Sequence, residues 1–123
     1  MALPPAFRST IGEICYLTFG EDACVKVLSD EAFRAEAQKM IDDVNAGLVS
    51  RSRQRAFSAS VHTVSPDKQG RIQIEAALRD YAGIEANAPV VLLGALDRIE
   101  VWTPEEFARE TSVGADELAG APR

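Results

Sequence analysis

Few cysteines, a single histidine and no long apolar run set the first bounds on this chain of 123 residues. The two thiols, Cys15 and Cys24, are too few for a disulfide scaffold. With His62 as the one histidine, they fall short of the three or four clustered ligands that a metal site uses. They read as reduced thiols packed in strands, and no metal or cofactor is expected. No apolar run approaches the roughly 20 residues that cross a bilayer. The opening Met1-Ala2-Leu3-Pro4-Pro5 lacks the basic segment and apolar stretch of a secretory signal. A cytoplasmic protein with no membrane partner is the expectation. Catalysis is equally poorly supported. There is no glycine-rich phosphate loop, and no nucleophile is identifiable beside His62. Adjacent carboxylates such as Asp42-Asp43 and Glu105-Glu106 diverge on a helix. The chain reads as a non-enzyme.

Net positive charge is also missing: the total is -6, which does not by itself suggest a nucleic-acid partner. Its distribution is uneven. Between Arg51 and Arg79 lie six cations (Arg51, Arg53, Arg55, Lys68, Arg71, Arg79) and two acids (Asp67, Glu75), a local +4 that leaves -10 on the rest. Such an asymmetry fits a focused anion-binding surface on an otherwise repelling body.

What is present is an internal repeat. Leu3-Pro4-Pro5-Ala6-Phe7-Arg8 aligns with Ile74-Glu75-Ala76-Ala77-Leu78-Arg79 at an offset of 71, with apolar residues at the first, fourth and fifth places and arginine at the sixth. Gly12 falls on Gly83 at the same offset. With three extra residues in the second copy the offset becomes 74, and Gly20, Val25, Val27, Glu31 and Phe33 fall on Gly94, Ile99, Val101, Glu105 and Phe107. An ordered series of matches with one small gap indicates tandem duplication.

Each copy predicts the same elements. A short helix runs from Pro4 or Glu75 to a terminating glycine, Gly12 or Gly83. An apolar strand follows, Cys15 to Phe19 or Val90 to Leu93. A glycine-containing turn then leads to an alternating strand, with Val25 and Val27 around Lys26 or Ile99 and Val101 around Glu100. Period-two alternation predicts half-buried strands, and the short turns predict hairpins. Thr103-Pro104-Glu105-Glu106 is a strong helix start. Ser29-Asp30-Glu31 begins a longer helix whose apolar face is Phe33, Ala37, Met40, Ile41 and Val44. Asn45 to Gly47 breaks it, and an arginine-bearing helix is expected from Leu48 to Phe57. Ser58 to Val64 is β-like, and Ile72 and Ile74 mark a further strand. The tail from Ser112 to Arg123 has Gly114, Gly120 and Pro122 and few large apolar residues, so it is expected to be disordered.

The segment Asp67-Lys68-Gln69-Gly70-Arg71-Ile72 carries the chemistry. Gly70 at the end of a turn can adopt a backbone shape closed to residues with a Cβ. Such a turn would project Lys68 and Arg71 from a rigid base. Asp67 could close it by accepting backbone N–H bonds, or could orient Arg71 through a fork-like pair. Lysine meets phosphates as a point charge, whereas arginine contacts phosphate or reads guanine bidentately. An ordinary β-turn with a solvated lysine and a salt-bridged arginine would use the same residues.

The pattern Asp67-x-x-Gly70-Arg71-Ile72-x-Ile74-x-x-x-Leu78-Arg79 resembles the signature of the AbrB/SpoVT superfamily. Tyr81-Ala82-Gly83, Val91-Leu92-Leu93-Gly94 and Asp97-Arg98-Ile99-Glu100-Val101-Trp102 are similar to the second half of MraZ-family proteins, as is the tandem arrangement with two linking helices. The resemblance spans about residues 3 to 107. Glu75 departs from the usual proline, which the first copy keeps as Pro4; a negative charge there still suits a helix N-terminus.

The resemblance implies an α+β fold, a tandem pseudo-twofold swapped-hairpin β-barrel with flanking helices. Residues 1–32 would form the first half, 33–57 the linking helices and 58–107 the second half. It implies a cytoplasmic, nucleoid-associated regulator that binds double-stranded DNA at repeated promoter boxes ahead of division and cell-wall genes, usually as a repressor. It also implies self-assembly into a ring-like homo-oligomer. Asp67, Lys68, Gln69, Gly70 and Arg71 would form the DNA-binding hook. The offset of 71 puts Met1 on Ile72, so a first half lacking its own strand and hook is the expectation. An oligomerisation or regulatory module with impaired DNA binding is then the alternative.

Overall fold

Pro4 and Pro5 open the first helix because proline lacks the N–H that a first turn leaves unpaired and holds φ near helical values. Helix α1 (Pro5–Ile11) ends at Gly12, whose φ of 80° is left-handed backbone. In the computed structural model, which describes residues 1–120, strand β1 (Cys15–Phe19) follows, then a 3₁₀ turn at Glu21–Ala23 and strand β2 (Val25–Ser29). Helix α2 (Asp30–Asn45) starts on a cap in which the Ser29 side chain accepts from the Ala32 N–H. Helix α3 (Arg51–Ser60) starts on the Ser50 side chain in the same manner. Strand β3 (His62–Val64), the hook, and helix α4 (Ala76–Ala82) lead to strands β4 (Val91–Gly94) and β5 (Ile99–Trp102). Helix α5 (Pro104–Ala119) closes the described chain on the Thr103 cap expected from the sequence.

The strands form one antiparallel sheet in the order β3-β1-β2-β5-β4. The join between early and late chain is the β2–β5 ladder, in which Val25 faces Val101, Lys26 faces Glu100 and Val27 faces Ile99. Lys26 and Glu100 are the positions that the offset of 74 equates, so the ladder is symmetric about that pair. Directly opposed residues share a face. One face therefore carries Leu17, Val25, Val27, Ile99 and Val101 into a core completed by Leu3, Ile11, Ile72, Ile74, Leu78 and Ile84. Each such side chain, fully buried, contributes on the order of 1.5–3 kcal/mol.

The short helices cross over. Tyr81 of α4 donates to the Gly20 carbonyl at 2.5 Å and stacks on Phe19 at 4.0 Å between ring centroids. Phe7 of α1 lies against Gly94, where a Cβ would stand 3.1 Å from its ring. Each short helix thus packs on the hairpin turn of the other end of the chain.

Four expectations change. Ser58 to Ser60, expected to be β-like, form the last turn of α3, and the strand is confined to His62–Val64. Strands β2 and β5 are buried on both faces rather than half-buried: α2 packs on β2 where Lys26 pairs with Glu36, and Arg98 and Trp102 close over Glu100. Ile72 and Ile74 do not form a strand. The segment instead makes an isolated bridge, Ala2 to Arg71, with the chain start. The tail expected to be disordered from Ser112 is helical through Ala119, and Gly120 caps it at φ 74°. Its run of helix-forming residues outweighs the lone Gly114, since the proline falls only at 122. The rest of that expectation, residues 121–123, lies outside the described residues.

Both thiols are buried, Cys15 in β1 and Cys24 just before β2. Loss of solvent raises Cys15 to about 11 and Cys24 to about 12, so neither is a thiolate at neutral pH.

Candidate nucleic-acid interface

The turn at Asp67–Arg71 is built around one carboxylate. Asp67 Oδ1 accepts from the backbone N–H of Gln69 and of Arg71, each at 2.9 Å. Its Oδ2 accepts from Arg71 Nε at 2.7 Å. The Gly70 N–H donates to the Asp67 carbonyl at 2.9 Å, and the Asp67 N–H to the Arg71 carbonyl at 3.0 Å. Asp67 therefore both closes the turn and orients the arginine. The Arg71 N–H, the Arg71 guanidinium and the Gln69 N–H together hold its carboxyl below the usual carboxylate range.

Gly70 has a φ of 76°, in the region that side-chain-bearing residues rarely enter. A second constraint acts there. A Cβ on Gly70 would stand 2.0 Å from Arg8 Nε. Arg8 comes from α1 and lies across the turn: its Nη2 donates to the Gln69 carbonyl and its Nε to the Leu3 carbonyl at 3.0 Å. The base of the turn is tied to the start of the chain. Leu3 N–H donates to the Gly70 carbonyl at 2.8 Å, Ile72 N–H to the Met1 carbonyl at 2.7 Å, and the terminal ammonium to the Ile72 carbonyl at 3.0 Å.

The five expected hook residues are thus one structural unit. Lys68, Gln69 and Arg71 are exposed on it, and Gly70 is buried beneath Arg8. Among the described residues Lys68 has no ion-pair partner. Arg71 keeps 62% of its side chain exposed while paired with Asp67, which leaves its remaining guanidinium N–H groups for another acceptor.

Arg51, Arg53 and Arg55 are all exposed on α3, and among the described residues none is ion-paired with the acids of α2. Asp43, the nearest such acid in sequence, takes Lys39 instead. The arginines at the sixth place of the repeat, Arg8 and Arg79, have different surroundings. Arg8 binds two carbonyls and no carboxylate, because the turn it meets presents backbone oxygen. Arg79, its counterpart on α4, has no side-chain hydrogen bond among the described residues. Arg8 is the functional candidate that sequence reasoning missed. The only signal was its recurrence in the repeat.

Among the described residues no three His, Cys, Asp or Glu side chains are grouped to hold a metal ion, and no helix is long and apolar enough to cross a membrane.

Comparison with known proteins bears on this arrangement. A family model described as "MraZ protein, putative antitoxin-like" matches residues 57–116, which include the hook, α4, β4, β5 and most of α5. Several curated proteins match far more of the chain. A transcriptional regulator MraZ of Nocardioides sp. is 36% identical over 113 residues, 92% of this chain and 76% of the relative. One from Finegoldia magna is 35% identical over 124 residues, 95% of this chain and 82% of the relative. One from Bifidobacterium longum is 35% identical over 123 residues, covering 97% and 80%. Identity at this level over more than nine-tenths of the chain shows that it belongs to the MraZ family.

Proposed function

We propose that this chain is a transcriptional regulator that binds double-stranded DNA sequence-specifically through the Asp67–Arg71 hook. The observation that carries the reading is the hook itself: a turn locked by five backbone and side-chain bonds presents Lys68 and Arg71 outward from the only strongly basic stretch of an acidic chain. A preordered arginine loses little freedom on binding, so it suits base reading, while Lys68 meets phosphate. The curated relatives are named transcriptional regulators, which supports the same role.

The proposal extends to architecture. The symmetric β2–β5 register and the crossed short helices support two duplicated halves, 1–32 and 58–107, in a swapped-hairpin arrangement joined by the helices of 33–57. A single hook makes few contacts, so binding to repeated promoter boxes would come from several hooks in a ring-like oligomer acting through effective concentration. Strands β3 and β4 end the sheet with one side unpaired, a surface that invites self-association. The cytoplasm, at the nucleoid, and repression of a division and cell-wall gene cluster are the setting this reading implies.

Titration against a duplex carrying the repeats upstream of such a cluster, at two salt concentrations, tests the reading. Tight binding that weakens with salt and exceeds binding to a scrambled duplex is expected. A second reading is an oligomerisation or regulatory module with impaired DNA binding. Assembly seen by light scattering, with no preference for the repeats, would select it.

A further inference from the structure

We propose that Arg8 is the positioning residue of the hook: from α1 it clamps the Gln69–Gly70 corner and so fixes where Lys68 and Arg71 point before any DNA is present. The consequence for binding rests on the DNA-binding reading above. The clamp itself is a property of the free protein.

Three observations meet at this side chain. Its two donors reach the Gln69 and Leu3 carbonyls, one on the turn and one on the segment paired with the base of the turn. Its Nε, Cζ and Cδ occupy the space where a Gly70 side chain would begin. And the contact spans a separation of 61 residues, so the two ends of the chain are tied together through the hook.

The inside of the turn is satisfied by Asp67. The outside is not: among the described residues the side chains of Lys68 and Gln69 have no hydrogen-bond partner. The Gln69 carbonyl would point to water without Arg8. A guanidinium holds two donors at a fixed spacing, which suits two carbonyls set apart as those of Leu3 and Gln69 are. Arg79, which holds the corresponding place on α4, makes no such bond among the described residues, so the clamp does not follow from the repeat alone.

The test uses the full chain with Arg8→Ala, Arg8→Lys and Arg8→Gln, and Arg79→Ala as comparator. Amide hydrogen exchange is read without DNA at Gly70 and Arg71, with Leu17 and Val27 as core references. Loss of the clamp should speed exchange at the hook roughly tenfold while the core amides stay put. Arg8→Lys should lie between, and Arg79→Ala should match the parent. Affinity for the repeat-bearing duplex should fall with Arg8→Ala and recover in part with Arg8→Gln, a neutral donor.

If the hook amides of Arg8→Ala exchange like those of the parent, the clamp is refuted. A direct phosphate contact would give that result, with Arg8→Gln binding no better than Arg8→Ala. Should Arg8→Ala fail to fold, Arg8→Lys decides: its ammonium keeps the charge but lacks the fixed spacing of Nε and Nη2, and parent-like exchange in it overturns the proposal. If the parent itself does not bind the duplex, the DNA reading falls while the exchange data still judge the clamp.

Discussion

Lys26 and Glu100 face each other across the β2–β5 ladder, yet each is neutralised from its own end of the chain. Lys26 Nζ lies 2.5 Å from Glu36 Oε1 and 3.5 Å from Glu21 Oε2, with 2% of its side chain exposed. Glu100 takes Arg98 Nε at 2.7 Å and the Trp102 indole N–H at 3.0 Å. Two opposite charges at equated positions thus stand on the symmetric centre of the sheet, each locked by separate partners.

The Lys26 arrangement predicts an ordered pair of stability losses. Lys26→Ala removes the ammonium that pairs with both Glu21 and Glu36 and leaves a void beneath α2 and α3. It should cost about 3 kcal/mol, discounted from the fully buried case because Glu21 and Glu36 keep access to water. Lys26→Met refills the void without the charge and should cost less. Urea unfolding of both measures this, and a larger loss for Met than for Ala would show that packing at Lys26 is unimportant.

Gly70→Ala should be destabilising for two reasons. The left-handed φ of 76° costs a residue with a Cβ roughly 1–2 kcal/mol. The new methyl would also displace Arg8 from the turn. A loss of at least about 1 kcal/mol in urea unfolding, with altered amide shifts at Gln69 and Gly70, is expected. A variant as stable as the parent with an unchanged hook spectrum would contradict the geometry.

The hook should be acid-resistant. Asp67 has a depressed pKa in the folded chain, owing first to the Arg71 backbone N–H and then to the Arg71 guanidinium. A depressed carboxylate contributes stability that is fully present above its unfolded value of 3.8 and is lost as pH falls through the folded value. Amide spectra of Gln69 and Arg71 should therefore hold their native shifts down to the ordinary aspartate range and change only below it. Changes centred on pH 6 to 7 would assign the transition to another group.

On DNA the three cation sites should separate. Arg71→Ala should cost roughly 1–3 kcal/mol per engaged hook and relax preference at one base position. Lys68→Ala should weaken binding evenly across sequences and flatten the salt dependence. Arg53→Ala on α3 should change little. Titrations of the three variants at two salt concentrations distinguish these. Parent-like binding by Arg71→Ala together with a loss in Arg53→Ala would move the reading head from the hook to α3.

Much of this was readable from residue order. Pro4 with Gly12, Ser29 and Thr103 with their following turns, and Asp67-x-x-Gly70-Arg71 all act within a few residues of themselves, and all formed where expected. The misses lie where the partner is distant. Arg8 showed only as a repeated position, because its carbonyl partner Gln69 is 61 residues away. Lys26 looked like the polar side of a half-exposed strand, because alternation reports which residues share a face and not whether a helix later covers it.

The sequence by itself determined the family, most of the elements and the turn at Asp67–Arg71, since motif, cap and turn signals are short-range and need no partner to be recognised. Only the tertiary structure decided that β2 pairs with β5, that α1 and α4 pack on each other's hairpin turns, and that Arg8 lies over Gly70. Those contacts join residues more than sixty positions apart. Neither end of the chain is long enough to bury a core alone, so their placement follows from the only packing in which both apolar faces leave water together.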